Sequence, residues 1–386
     1  MLDIINRFEC QVNAFAIVSK EDGVITVSND KSLKVWLKRD NGQYWPSICH
    51  FLPDFGTAIA FNERLLKIFI GLNVGVVEEF RVAEDFNSVS LERDFHAHQR
   101  PVTDIIYAQA QEYLLSCSRD KTFQYFHTHN GVRIGRISLD SQVLCLAFDA
   151  LSNHVFLGEY NGAISMFLLG DTEYQLVTKF HGHEGSCRQL LWEPELKWLV
   201  SCSFDQVVVV WDVGGNKGKS FELRYHKGKV NAIVLMKQQM RLISSAEDAH
   251  LVFWKLDKQR EPATVWEDCD SCQLCAGPFF WSFRQMYEDR TIGKRQHHCR
   301  KCGKALCANC CPHSSVMPKM GFEFPVRLCT DCFDSVPEAD KVSLAKRHNV
   351  KSAVHLMTYD QSRSLIVTAS RDNWIKFIKV SDEAHQ

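Results

Sequence analysis

One arrangement of apolar and polar positions recurs along this 386-residue chain. A short apolar run leads to a small residue such as Ser or Thr, then to a turn carrying Asp, then to an alternating segment that ends on an aromatic. It is clearest at 24–36 (VITVSNDKSLKVW), 114–126 (LLSCSRDKTFQYF), 199–212 (LVSCSFDQVVVVWD) and 242–254 (LISSAEDAHLVFW). Weaker copies lie at 68–80, 155–167 and 365–378. Apolar residues alternating with polar ones on either side of a tight turn predict paired β-strands.

The copies close at Trp36, Phe80, Phe126, Phe167, Trp211, Trp254 and Ile378, separated by 44, 46, 41, 44, 43 and 124 residues. The first five intervals fit the period of a four-stranded propeller blade, roughly 40–45 residues. The sixth exceeds one period by about 80 residues. The expected fold is therefore mainly β, a seven-bladed propeller with a small domain inserted before its last blade. Residues 1–258 would hold blades one to six, 262–336 the insertion, and 340–382 the last blade. Closing a radial ring requires the termini to meet, so a strand near Leu2–Arg7 should complete that last blade beside 350–380.

These residues resemble the WD-repeat family, in which a His, a Ser or Thr, the turn Asp and the Trp form one hydrogen-bonded set. His183, Ser201, Asp205 and Trp211 match it, as do His226, Ser244, Asp248 and Trp254. His98, Ser116 and Asp120 keep the spacing but end in Phe126, and the first blade keeps Thr26, Asp30 and Trp36 with Phe8 where the His should fall. A His, Ser and Asp that recur once per blade satisfy buried polar groups, whereas a catalytic triad occurs once. No phosphate loop, nucleophile elbow or HExxH is present, so no catalytic residue is assigned and an enzyme is not expected. The resemblance implies a ring whose top and rim hold protein partners.

Charge excludes a whole-molecule attraction to nucleic acid or to an anionic surface: 45 Lys and Arg face 46 Asp and Glu. No nucleic-acid partner is expected, and any membrane binding must come from a local patch. No apolar run approaches the ~18–20 residues of a spanning helix. Asp3 and Arg7 stand where a secretory signal would be apolar, so the chain is expected to be cytoplasmic.

Cysteine usage changes the picture. Ten of the 16 cysteines lie between Cys269 and Cys332. Eight form four CxxC pairs, Cys272/Cys275, Cys299/Cys302, Cys307/Cys310 and Cys329/Cys332, with gaps of 23, 4 and 18 residues between pairs. A CxxC turn sets two thiolates on one side of a metal, and two such turns complete a tetrahedral zinc site. The four-residue gap is too short for the middle pairs to share an ion comfortably. This predicts interleaving: Cys272, Cys275, Cys307 and Cys310 on one zinc, Cys299, Cys302, Cys329 and Cys332 on the other. Four thiolates leave no open position for water, which argues for a structural role of both zinc ions. Cys269 and Cys311 are expected to be bystanders. So small a segment cannot bury a substantial core, and metal should supply much of its folding energy.

Between the first two pairs runs TIGKRQHHCRKCGK (291–304), and residues 284–304 carry seven basic against two acidic side chains. Arg295, His297, His298 and Arg300 flank Cys299, so coordination would fix their backbone in advance, which favours an anion pocket. Arg supplies a planar fork suited to phosphate, and His a donor whose charge depends on pH. Arg327, two residues before Cys329, reaches the same place if the last pair joins the second.

The segment from about 266 to 336 closely resembles a FYVE domain, which has a basic RRHHCR-type run and a late RVC. That resemblance implies binding of phosphatidylinositol 3-phosphate through Arg295, His297, His298, Arg300 and Arg327, the last in the form RLC. Gln296 replaces a usual cation, and the family's WxxD element is imperfect: Trp266 is present, with Asp270 taken as its acidic member. The family also inserts an apolar loop tip before the basic run, a place held here by Ile292 and Gly293. Phe279–Trp281 are expected in the small domain's core.

The arrangement as a whole resembles the WD-repeat and FYVE domain-containing proteins. It implies a scaffold peripheral to the early endosome membrane, with cytosolic proteins on the propeller and a possible homodimer supplying avidity. A RING-like ubiquitin ligase or substrate receptor also interleaves two zincs. It usually needs a His among the central ligands, and it would leave the RQHHCR run unexplained.

Overall fold

The computed structural model describes residues 3–5, 8–171, 173–214, 220–262 and 264–379. Seven antiparallel sheets follow one another along the chain, each four strands wide in its own right. The first comprises Val12–Val18, Gly23–Ser28, Ser32–Lys38 and Tyr44–Phe51, paired in that order. The first strand of each blade packs against that of the next, and Val354–Asp360 of the seventh packs on Val12–Val18 of the first. The sheets thus form a closed ring, with their second strands almost wholly buried, as in Gly23–Ser28 and Tyr113–Ser118.

The recurring Asp has a local cause. Asp30, Asp120, Asp205 and Asp248 each accept the backbone N–H two residues on, from Ser32, Thr122, Val207 and His250, at 2.9–3.1 Å. The residue between, Lys31, Lys121, Gln206 or Ala249, has positive φ. An Asp side chain that bridges this left-handed step closes the hairpin. The sets seen in the sequence are built as expected. Trp211 Nε1 donates to Ser201 Oγ at 2.9 Å, and His183 joins that hydroxyl to Asp205 at 2.7 and 2.8 Å. Blade six repeats this with Trp254, Ser244, His226 and Asp248. In blade one Phe8 fills the missing histidine's place and packs on Trp36, with ring centroids 5.0 Å apart.

Ring closure uses the N-terminal strand. Asp3–Ile5 pairs antiparallel with Ile375–Lys379 of blade seven; Leu2, Asn6 and Arg7 of the expected strand lie outside the described residues. The insertion follows the sixth closing strand, which ends near Trp254, as expected, but blade six is not complete there. It interrupts blade six between its third strand, His250–Lys255, and its outer strand, Ala345–Asn349, which pair directly. Residues 340–382 therefore include the edge of blade six as well as blade seven.

The inserted domain holds two short hairpins, a seven-residue helix, Phe283–Asp289, and a five-residue helix, Thr330–Asp334. One hairpin, His297–His298 with Ala305–Leu306, lies beside the basic run. The other, His313–Met317 with Phe322–Leu328, adds to the outer edge of blade five and widens it to six strands. Both linkers are tied to this second hairpin. Arg260 Nη1 donates to Pro318 O at 3.0 Å, and Glu323 accepts from Ser343 Oγ and Leu344 N at 2.7 and 3.2 Å.

Candidate metal centres and cationic pocket

The first two CxxC pairs lie on tight turns, the third on a 3-10 turn at Ala308–Cys310, and the fourth opens the short helix Thr330–Asp334. The structure gathers Cys272, Cys275, Cys307 and Cys310 in one cluster and Cys299, Cys302, Cys329 and Cys332 in another, with sulfur atoms within 4.8 Å of one another. This is the interleaved pairing expected from the four-residue gap. A tetrahedral zinc with bonds of about 2.3 Å would hold its sulfurs roughly 3.8 Å apart, and Cys275 Sγ lies 3.7 Å from Cys307 Sγ. The two clusters share a further feature. Cys307 N–H points at Cys272 Sγ at 3.3 Å, and Cys329 N–H at Cys299 Sγ at 3.4 Å. Burial opposes a thiolate at Cys272, but backbone N–H groups including those of Cys275, Cys307 and Leu274 outweigh it and bring that thiol down to about 6. Cys299 falls to about 7 in the same way. Four cysteine sulfurs gathered within one coordination sphere make each donor set suited to a zinc ion. Neither cluster includes Cys269 or Cys311; the buried Cys311 thiol is pushed up to about 11, chiefly by burial.

On this frame the basic run converges. His297 is held below its ordinary value first by burial, then by Arg327, Arg295, Arg300 and His298 around it. Backbone bonds fix the cluster: Arg300 N–H donates to Arg327 O at 3.0 Å, so the basic run and the late RLC strand are physically joined. Arg295 and Arg327 are exposed, whereas Arg300 is only partly so.

The Arg300 guanidinium lies 4.0 Å over the Trp266 ring, and His298 stacks on the same indole with centroids 5.2 Å apart. His298 Nε2 also donates to Glu267 O at 3.0 Å. Trp266 is thus the platform on which two of the expected lipid-binding side chains rest, a role the sequence signalled only through its place in the WxxD element. Trp266 and Arg300 also line a cavity of about 280 Å³ closed from the other side by Glu222 and Arg224 of blade five. Burial, then the Arg224 charge, lowers the Arg300 guanidinium.

Asp270 Oδ1 accepts the Trp281 indole N–H at 3.2 Å. Two expectations need correction. Gly293 is buried: a Cβ there would meet Met286 Sδ at 2.6 Å and Phe280 Cα at 2.8 Å. It packs the loop base, and Ile292 alone of that pair is presented, 86% exposed. Of Phe279–Trp281, only Phe279 is core; Phe280 and Trp281 are about half exposed. Phe283 and Tyr287, on the helix that precedes Ile292 in sequence, are 72% and 87% exposed, so the inserted domain presents more apolar side chains than the sequence implied.

Comparison with known proteins agrees with both halves. Residues 265–338 match the FYVE zinc finger, and residues 89–127 and 174–212 match the WD domain, G-beta repeat. The chain is 40% identical to the mouse (Mus musculus) WD repeat and FYVE domain-containing protein 1, over 97% of this chain and 92% of that one. The chain belongs to the WD repeat and FYVE domain-containing family. The human (Homo sapiens) WD repeat and FYVE domain-containing protein 2 is also 40% identical, over 95% of this chain and 91% of its own. The Caenorhabditis elegans protein 2 is 34% identical over 97% and 91%. Similarity thus runs through ring and insertion together, as expected of a WD/FYVE scaffold with two zinc sites. Among the described residues no helix is long and apolar enough to cross a membrane.

Proposed function

We propose that this chain is an adaptor that docks on early endosomal membranes through phosphatidylinositol 3-phosphate and holds cytosolic proteins on its propeller. The observation that carries the reading is the convergence of Arg295, His297, His298, Arg300 and Arg327 on one metal-ordered frame. Arg295 and Arg327 are the exposed cations and take the phosphate; Trp266 orients Arg300 and His298 behind them. Fixing these side chains before binding reduces the ordering cost, which otherwise consumes much of the interaction.

The exposed apolar side chains of Ile292, Phe283 and Tyr287 supply the second contact. Burying one such side chain contributes about 1.5–3 kcal/mol, and each neighbouring cation roughly 1 kcal/mol at an anionic surface. One module is then a weak anchor, and stable residence needs a further signal, here a protein partner or a second copy of the chain. The role is binding and not catalysis, since both four-thiolate clusters are closed and the recurring His–Asp pairs are committed within their blades.

Co-sedimentation of the full chain with vesicles containing 5% phosphatidylinositol 3-phosphate tests the pocket. Arg295→Ala and Arg327→Ala should each reduce the bound fraction strongly with two zinc ions per chain retained. Wild-type binding by both variants would remove the pocket from the account.

A further inference from the structure

Each of the seven inner strands slips register at the same place, between its first and third residues, from Val12/Ala14 in blade one to Val354/Leu356 in blade seven. A bulge there re-aims the second residue. In five blades that residue bonds the first residue of the next inner strand. Asn13 Nδ2 donates to Gly56 O at 2.8 Å, Thr57 Oγ1 to Val102 O at 2.5 Å and Thr103 Oγ1 to Val143 O at 2.7 Å. Asn231 Nδ2 donates to Val354 O at 3.2 Å, and His355 Nε2 to Val12 O at 2.7 Å. The result is a belt of hydrogen bonds from blade to blade around the channel.

The belt breaks twice in succession. Blade four has Leu144 at the bulge, which has no side-chain donor. Blade five has Arg188, exposed and without a hydrogen-bond or ion-pair partner among the described residues. Both residues line the mouth of a central cavity of about 660 Å³, together with His355. His355 is 8% exposed, and its Nδ1 is buried with no partner. Because Nε2–H is committed to Val12 O, Nδ1 of the neutral ring is an acceptor. Burial foremost, then Arg188 and Arg371, favour that neutral form. The cavity's own carboxylate, Asp104, accepts from Leu146 N and Ile105 N, both at 2.9 Å, and feels the Arg188 charge without forming an ion pair with it.

The cavity thus offers two guanidinium groups without a hydrogen-bond or ion-pair partner among the described residues, Arg119 and the bulge residue Arg188, a buried acceptor lacking a donor, and apolar side chains including Phe15, Ile59, Leu190 and Met357. Carboxylate, N–H and hydrocarbon occur together in an acidic peptide, whereas a phosphorylated polyol would leave the apolar lining unused. We propose that the channel mouth binds an acidic peptide segment of a partner, with Arg188 holding a carboxylate and His355 Nδ1 accepting a backbone N–H. This deepens the reading of the propeller as the protein-binding half.

The probe is fluorescein-labelled hexaglutamate, titrated into the full chain and followed by anisotropy, with hexalysine as control. Saturable binding of hexaglutamate alone is expected, weakened roughly 10- to 100-fold by Arg188→Ala, the scale of one charge-assisted hydrogen bond. Arg188→Asn is the sharper variant, because Asn at this position mends the belt as Asn13 and Asn231 do. It should keep or raise the thermal midpoint while losing the peptide. Soluble inositol 1,3-bisphosphate should not displace hexaglutamate. Absence of saturable binding, full affinity in Arg188→Asn, or displacement by the bisphosphate would each overturn the proposal. Failure of vesicle binding with hexaglutamate binding intact would instead sink the lipid reading alone.

Discussion

Arg224 of blade five and Phe322 of the inserted domain are parallel strand neighbours, and Arg224 N–H donates to Gly321 O at 2.8 Å. Through this pairing the zinc-binding domain caps the exposed edge of a propeller blade, an edge that otherwise invites intermolecular pairing. Gly321 permits it: its φ is +86°, and a Cβ there would collide with Glu222 O. Gly321→Ala should therefore undock the domain with both zinc ions retained, costing about 1–3 kcal/mol. Hydrogen exchange checks this: the Arg224 amide should lose protection, and an unchanged rate would contradict the docking role.

Chelation tests how the two folding units depend on each other. Two zinc ions per chain should be released, and the inserted domain should unfold because metal supplies its folding energy. The ring's inner strands should keep their amide protection. The strand Ala345–Asn349, which must cross back from the insertion to complete blade six, should exchange faster. A domain that keeps its protection without metal would refute the structural role of zinc.

Ile292 should dominate membrane insertion. Ile292→Asp removes an exposed apolar side chain and adds a charge at an anionic surface, so vesicle affinity should fall by at least about ten-fold. Tyr287→Ala should fall by less, and zinc content should be unchanged in both. Equal affinity for Ile292→Asp and wild type, measured by vesicle titration, would place the insertion elsewhere.

Glu78 in blade two gives the stability a pH dependence. Its Oε2 is buried with no partner, and burial, aided by nearby Asp94, lifts its carboxyl to about 7. A carboxyl raised on folding favours the folded state below its unfolded value, about 4.3. That contribution is lost as pH rises through 7. Glu78→Gln should thus raise stability by about 1–2 kcal/mol at pH 8 and change it little at pH 4. Asp248, held down to about 2 by its hydrogen bonds with His226, Lys227 N and His250 N against the opposing effect of burial, acts oppositely. Its stabilisation is present at neutral pH and is lost as pH falls from about 4 toward 2. Denaturant melts of the Gln variant and wild type at pH 8 and 4 read the Glu78 effect, and melts continued from pH 4 down toward 2 read that of Asp248.

The ring was legible because each blade repeats one local problem. An Asp must close a left-handed turn, and a Ser or Thr must satisfy an indole, so the residues recur at fixed spacing. The interleaved zinc ligands were legible for a similar reason, since CxxC spacing and a four-residue gap constrain geometry directly. What escaped depends on partners distant in sequence. Ala345–Asn349 reads AKRHN, without an apolar alternation, and is a strand because His250–Lys255 presents an open edge to it. The contact of Asp270 depended on the reach of Trp281, and the burial of Gly293 on Met286 folding back over it. The belt of bulge residues is invisible in any one repeat, because each link joins side chain and carbonyl from neighbouring blades.

Vesicle titration against the positional isomers is the most direct test of the central claim. Full-length protein should bind vesicles containing phosphatidylinositol 3-phosphate saturably and bind those containing the 4- or 5-phosphate at least ten-fold more weakly. Arg295→Ala should erase that difference. Equal binding to all three isomers, or none to any, would contradict the account.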